Sequence, residues 1–178
     1  FEIYRLPCEK DETDILAAIK HALKLGYDQF HIFGGTGDRV DHMMANIQCL
    51  IYLANLNCKA CLYGKDFEIK IIKNEKNLGV VETRNKGIRE ATGEYIAFLD
   101  SDDTWNNNKL EKQITFMKEK KASISCTDYM RVDKNNKDKK RIRVKEEITY
   151  HMLLKTNMVG CLTVIYDTEK IGKKYFKE

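Results

Sequence analysis

Residues 94–105, EYIAFLDSDDTW, give the clearest structural signal in the sequence. The apolar run predicts a buried strand over residues 94–100, and the acidic residues that follow predict a turn. Asp100, Asp102 and Asp103 would therefore lie at the carboxyl end of a strand, where α/β sheets usually bind their ligands. Alternate aspartates at such a place can hold one divalent cation that bridges two phosphates. The alternative is a plain acidic turn that caps the helix after it.

The sequence around this stretch alternates between helical and strand patterns. Apolar residues at helical spacing predict helices over residues 12–25, 41–55, 80–91 and 107–121, and another near 147–154. Short apolar runs predict strands over residues 30–33, 59–63, 67–72 and 123–132, and another near 158–166, with a polar loop over 133–140. This alternation predicts an α/β fold, with a mostly parallel, layered sheet of about five or six strands and helices on both faces.

The composition is that of a globular protein and excludes several other classes. Of the 178 residues, 43% are hydrophobic and 33% are charged, a balance that excludes a disordered chain. No stretch of about 18 apolar residues occurs, so the sequence predicts no transmembrane segment. Residues 1–14 show no secretory signal and the chain has six cysteines, so we expect reduced thiols and a cytoplasmic location. The sequence predicts no particular oligomeric state.

Two local patterns are interpreted as structural rather than functional. Cys58 and Cys61 have the spacing of a metal-binding or redox pair, but no second pair follows, so we expect buried thiols. The basic run from Lys134 to Lys145 lacks aromatic residues, so a solvated loop is favoured and no nucleic-acid partner is expected.

A second candidate site follows the strand predicted at residues 30–33. The turn at residues 34–37, GGTG, would let backbone N–H groups approach phosphate oxygens closely. Arg39 could neutralise phosphate charge, and Asp41 could hold a hard cation or orient a hydroxyl. Upstream, Asp11 and Asp14 are spaced either to share Mg²⁺ or simply to begin a helix, and spacing alone does not decide between the two.

The segments KDETDILAAIKHAL, at residues 10–23, and IFGGTGDRVDHMMANI, at 32–47, resemble the thiamine pyrophosphokinases. The resemblance covers about residues 5–70 and implies Mg²⁺-dependent pyrophosphate transfer from ATP to the hydroxyl of thiamine. It implies that metal, nucleotide and phosphate are bound by Asp11, Asp14, Gly34, Gly35, Gly37, Arg39, Asp41 and Asn46.

Residues 73–117, KNEKNLGVVETRNKGIREATGEYIAFLDSDDTWNNNKLEKQITFM, resemble the family 2 glycosyltransferases of the GT-A fold. A weaker resemblance continues to about residue 175. The resemblance to the glycosyltransferases implies a nucleotide-diphosphate sugar as substrate, with Asp100 and Asp102 as the DxD motif that binds Mn²⁺ or Mg²⁺. Arg84 and Asn85 would support the nucleotide side of that site.

The two resemblances meet at residues 68–73 without a polar or glycine-rich linker. We therefore interpret the sequence as a composite, with a pyrophosphokinase-like fragment at 1–70 and a glycosyltransferase-like fragment at 71–178. Three functions compete: an incomplete metal-dependent glycosyltransferase, a thiamine pyrophosphokinase, and an inert chimera that binds a cation and a diphosphate. No residue is assigned as catalytic base, and we expect neither reaction at a family-like rate.

Overall fold

The computed structural model describes residues 12–37, 39–132, 139–156 and 159–177. The chain divides into two compact units, one up to Asn77 and the other from Leu78. The boundary between two family-like fragments at residues 70 and 71 stays a prediction, because compactness does not show where a family match begins.

The first unit has three strands and two helices among the described residues. They are α1 (Asp14–Lys24), β1 (Gln29–Phe33), α2 (Val40–Asn55), β2 (Lys59–Tyr63) and β3 (Glu68–Ile69). The strands form one sheet in the order β1-β2-β3. β1 and β2 are parallel, with Phe30 opposite Ala60, and α2 makes the crossover between them. β3 then pairs antiparallel to β2.

The core of the first unit lies between this sheet and its two helices. The side chain of Thr13 accepts a hydrogen bond from the backbone N–H of Leu16, which begins α1. The buried core residues are Ile19, Phe30, Ile32, Cys49, Leu50, Leu53 and Leu62. Exposure alternates along β1, and Phe33 is 71% exposed. The strand is therefore buried on one face and exposed on the other.

The second unit contains the remaining elements. They are α3 (Gly79–Glu90), β4 (Tyr95–Ala97), α4 (Lys109–Glu119), β5 (Ile124–Ser125), β6 (Tyr129–Val132), β7 (Lys139–Ile142), α5 (Tyr150–Lys155), β8 (Ile165–Asp167) and α6 (Thr168–Ile171). A short 3₁₀ helix, Cys161–Thr163, precedes β8. One sheet has the order β4-β8-β5, and β6 and β7 form a separate antiparallel hairpin.

The prediction of a mostly parallel sheet does not fit the described strands. Only β1 and β2 pair in parallel, while the other described pairings are antiparallel. β4 and β5 do run in the same direction, because both are antiparallel to β8. This is the direction that a strand–helix–strand pattern predicts for the strands before and after α4 in the sequence. The late strand β8 lies between them, and the periodicity of the sequence carries no signal for that long-range insertion.

The predicted strand over residues 123–132 is in fact two strands that belong to different sheets, β5 and β6. The loop predicted over 133–140 overlaps β7, and its residues 133–138 lie outside the described part of the chain. Within the hairpin, Arg141 forms an ion pair with Asp128 at 2.8 Å. The described cysteines are free thiols; Cys61 is buried as expected, whereas Cys58 is partly exposed. No helix among the described residues combines the length and apolarity needed to cross a bilayer.

Candidate functional site

The acidic turn follows β4 closely. β4 ends at Ala97, which is earlier than predicted, and the turn is closed by a 3.1 Å hydrogen bond from the backbone N–H of Asp103 to the carbonyl of Asp100. The side chain of Asp100 is 45% exposed, and Asp102 lies on the surface. The structure therefore places both predicted metal ligands in one turn that solvent can reach.

Arg84, on α3, is the charged partner of this turn. Its Nη2 atom donates to both carboxylate oxygens of Asp100, at 2.8 Å and 2.6 Å. The Arg84 side chain is only 20% exposed, and its guanidinium lies 5.4 Å from the centre of the Phe176 ring. Among the described residues, no partner accepts a hydrogen bond from the buried Nε atom of Arg84. Of the two residues predicted on the nucleotide side, Arg84 thus lies against the acidic turn.

Asn85 has a different position. It is buried, and its side chain forms a reciprocal pair of hydrogen bonds with the backbone of Phe176, donating at 3.0 Å and accepting at 2.8 Å. Asn85 therefore fastens the segment around Phe176 to α3, and the Phe176 ring in turn packs beside Arg84. The structure gives this asparagine a supporting role, which its sequence motif alone did not reveal.

Negative charge is concentrated in the acidic turn. Burial, together with the negative charges of Asp102 and Asp100, raises the pKa of Asp103. Carboxylate oxygens are hard ligands of the kind that Mg²⁺ and Mn²⁺ prefer. Within the described ranges, however, no group of three or more His, Cys, Asp or Glu could hold a metal ion. The donor set therefore fits a cation that takes its other ligands from phosphate and water, not one enclosed by protein.

A cavity of about 420 Å³ lies beside Arg84. Its lining is mainly apolar and aromatic and consists of Arg84, Phe98, Val159, Cys161, Val164, Tyr166, Lys174, Tyr175 and Phe176. Burial raises the pKa of the Cys161 thiol. The lining comes from segments far apart in sequence, so no local motif could have indicated this cavity.

Trp105 and Gln113 attach the acidic turn and α4 to the segment before β8. The indole N–H of Trp105 donates to the carbonyl of Leu162 at 2.9 Å, and Lys109 lies 4.3 Å from the centre of the ring. Burial lowers the pKa of Lys109. The buried amide of Gln113 donates to the carbonyl of Thr163 at 2.9 Å. Sequence reasoning missed both contacts, and the only available signal was a polar Gln on the apolar face of a predicted helix.

The glycine turn of the first unit has a packing role that the sequence did not predict. Gly34 has a φ of +72°, a conformation that favours glycine. Gly35 is buried, and a Cβ atom there would lie 2.7 Å from Leu62 and 2.8 Å from Asn46. The Asn46 side chain donates to the carbonyl of Gly35 at 2.8 Å. Gly35 therefore packs closely against Leu62 and Asn46 inside the unit.

The other residues of this candidate site are more open. Around Gly37 there is free space within 4 Å of an added Cβ. Arg39 and Asp41 are exposed and form an ion pair with each other, which lowers the pKa of Asp41. Asp14 lies in the first turn of α1. Asp11, its predicted partner, lies outside the described residues, so a shared Mg²⁺ site at these two aspartates stays a prediction.

Comparison with known families finds two matches. The family model "Glycosyl transferase family 2" matches residues 54–173, more than half of the chain. The chain belongs to this family. A second family model, "Thiamin pyrophosphokinase, catalytic domain", matches residues 1–62. The chain is therefore composite, with a pyrophosphokinase-like part before a family 2 glycosyltransferase part, as the sequence motifs predicted. Members of glycosyl transferase family 2 commonly use divalent metal ions.

Individual relatives agree with the glycosyltransferase match. TuaG of Bacillus subtilis, a glycosyltransferase assigned to teichuronic acid biosynthesis, is 44% identical over 110 residues, which are 61% of this chain and 43% of the relative. WfgD of Escherichia coli is named as a UDP-Glc:alpha-D-GlcNAc-diphosphoundecaprenol beta-1,3-glucosyltransferase. It is 33% identical to this chain over 91% of this chain and 58% of the WfgD chain. The chain thus spans about half the length of these relatives.

Among solved structures, thiamine pyrophosphokinase from Bacillus subtilis is 36% identical to this chain. The similarity covers 39% of this chain and 36% of that one, with a TM-score of 0.33.

Proposed function

We propose that this family 2 glycosyltransferase chain binds a nucleotide-diphosphate sugar through a divalent cation at the acidic turn. The observation that carries the proposal is the arrangement of Asp100, Asp102 and Arg84. Two carboxylates and one guanidinium lie at the end of β4, open to solvent on one side. Such a set can hold a cation and a diphosphate together, because the cation needs oxygen ligands and the phosphates need positive charge.

Each residue has a distinct part in this proposal. Asp100 and Asp102 would hold Mn²⁺ or Mg²⁺, and the cation would stabilise the negative charge that develops on the departing diphosphate. Arg84 would supply positive charge on the protein side of the phosphates. Asn85 would keep Phe176 beside Arg84 through its two backbone hydrogen bonds. WfgD is named for a UDP-glucose donor, so uridine diphosphate is the first probe to use.

The test is isothermal titration calorimetry of the 178-residue chain with UDP, in the presence and absence of Mn²⁺. We expect binding to depend on Mn²⁺ and to weaken by about 1–3 kcal/mol in Asp102→Asn, because one anionic ligand of the cation is lost. Asp66→Asn, which changes an exposed aspartate of the first unit, serves as the matched control and should bind as the wild type does. UDP binding that ignores both Mn²⁺ and Asp102→Asn would contradict the proposal.

The match to the pyrophosphokinase catalytic domain over residues 1–62 favours a second candidate function. Under it, Asp11, Asp14 and Asp41 would hold Mg²⁺, and Arg39 with the glycines of the turn would bind the phosphates of ATP. The exposed side of the Arg39–Asp41 pair is open to such a ligand. Release of AMP from ATP that requires both thiamine and Mg²⁺ would support this function. Release that continues without thiamine would contradict it.

A further inference from the structure

One of the two proposed cation ligands, Asp100, is already in contact with a positively charged side chain of the protein. Arg84 Nη2 contacts both carboxylate oxygens of Asp100 at 2.8 Å and 2.6 Å. We propose that Arg84 shields Asp100 from the cation until a nucleotide diphosphate draws the guanidinium away. The cation and the diphosphate would then bind cooperatively, and the cation alone would bind weakly. This inference rests on the function proposed above.

Charge is the first reason for this inference. A guanidinium in direct contact with Asp100 neutralises a carboxylate that would otherwise attract the cation, and its own positive charge repels the cation at short range. Asp102 is exposed and lies away from this contact, while Arg84 balances the charge of the half-buried Asp100.

The second reason is that Arg84 is held in a way that allows exchange. Its hydrogen bonds to Asp100 both come from a single nitrogen, and its buried Nε has no acceptor within the described structure. The Phe176 ring, 5.4 Å away, supports the guanidinium through a cation–π contact. A diphosphate carries more negative charge than one carboxylate and matches the planar fork of an arginine. It is therefore a stronger partner for Arg84 than Asp100 is.

Reciprocity follows from thermodynamics. If the diphosphate removes Arg84 from Asp100 and so tightens cation binding, then the cation must tighten diphosphate binding by the same factor. Couplings of this kind are typically about 5- to 150-fold. The site would consequently stay largely free of metal until its substrate arrives.

The experiment measures the binding of Mn²⁺ alone, from the electron paramagnetic resonance signal of free Mn²⁺. Arg84→Met removes the charge and keeps the length, so we expect Mn²⁺ to bind about tenfold or more tightly than to the wild type. Arg84→Lys keeps the charge and should stay within about threefold of the wild type. Arg89→Met removes an exposed positive charge from the same helix and controls for the change in net charge. Thermal unfolding of each variant, followed by circular dichroism, checks that it is folded.

An unchanged or weaker affinity of Arg84→Met for Mn²⁺ would overturn the inference, and so would equal tightening in Arg89→Met. If Arg84→Met does not fold, the affinity of Arg84→Gln for Mn²⁺ decides the question by the same criterion. The proposed function fails separately, when wild-type protein does not bind UDP in the presence of Mn²⁺. A wild type that binds UDP with Mn²⁺, together with an Arg84→Met variant that gains no affinity for Mn²⁺ alone, would reject only the shielding by Arg84.

Discussion

Replacing Gly35 with alanine should destabilise the first unit strongly, although the change adds one methyl group. That methyl would lie 2.7 Å from Leu62 Cδ1 and 2.8 Å from Asn46 Nδ2. Both neighbours are buried, so neither can move into solvent. Overpacking of this kind costs about 1–3 kcal/mol. Displacing Asn46 would also break its hydrogen bond to the Gly35 carbonyl, and a buried group left without its partner costs about 1–3 kcal/mol more.

The expected loss in the free energy of unfolding is therefore about 2–6 kcal/mol, a large part of the stability of a small domain. The single tryptophan, Trp105, belongs to the second unit, so its fluorescence cannot report on this change. Hydrogen exchange of the amides in α2 and β2, followed by mass spectrometry, measures the free energy of opening where the change acts.

Two neighbouring glycines provide matched controls. Gly37→Ala places its methyl in open space and should change the opening free energy by less than about 0.5 kcal/mol. Gly34→Ala also meets no neighbour, but its φ of +72° should cost about 1–2 kcal/mol through backbone strain alone. Equal exchange rates in Gly35→Ala and Gly37→Ala would refute the packing argument.

Two further predictions concern the second unit. Gln113→Ala should lower the free energy of unfolding by about 2–4 kcal/mol, because it leaves a cavity and removes the donor to the Thr163 carbonyl. Gln113→Met should lower the free energy of unfolding by less. Urea unfolding followed by tryptophan fluorescence measures both, and two neutral variants would contradict the role of this amide. The backbone N–H of Lys170 donates a hydrogen bond to Asp167 and lowers the pKa of that carboxyl. The stabilisation of the fold by ionised Asp167 is therefore complete above the unfolded pKa of about 3.9, and it is lost as pH falls through the folded pKa. Asp167→Asn should therefore cost more stability at pH 7 than at pH 2.5, and an equal cost at both pH values would count against this assignment.

Local patterns predicted α1 to α5 and most of the described strands. α2 and β2 lie within one residue of the predicted ranges, because a long apolar periodicity and a short β-rich run are both local signals. The end of β4 was harder to predict, since residues Phe98 and Leu99 continue the apolar run but have no partner strand opposite them. Pairing between distant segments, and not local composition, decides where such a strand stops.

The same contrast between local signals and distant contacts holds for the candidate site. The acidic residues could be found because their chemistry is visible in the letters of the sequence. The position of Asn85 could not be found, since its partner Phe176 is 91 residues away. The packing role of Gly35 could not be found for a related reason: a glycine needed for a close approach between parts of one chain has the same letter as a glycine needed for a close approach to phosphate.

The place of β8 between β4 and β5 has a consequence for the order in which the protein folds. β1 and β2 can pair as soon as Lys59 has left the ribosome, since their register joins residues only 30 positions apart, such as Gln29 and Lys59. Tyr95, in contrast, waits for Asp167, about 70 residues later, and closing so long a loop costs more chain entropy. Proteins dominated by such distant pairings fold slowly. The first unit should thus be able to fold during synthesis while the strand that carries the acidic turn is still without its neighbour, which leaves this segment exposed to misfolding for longer.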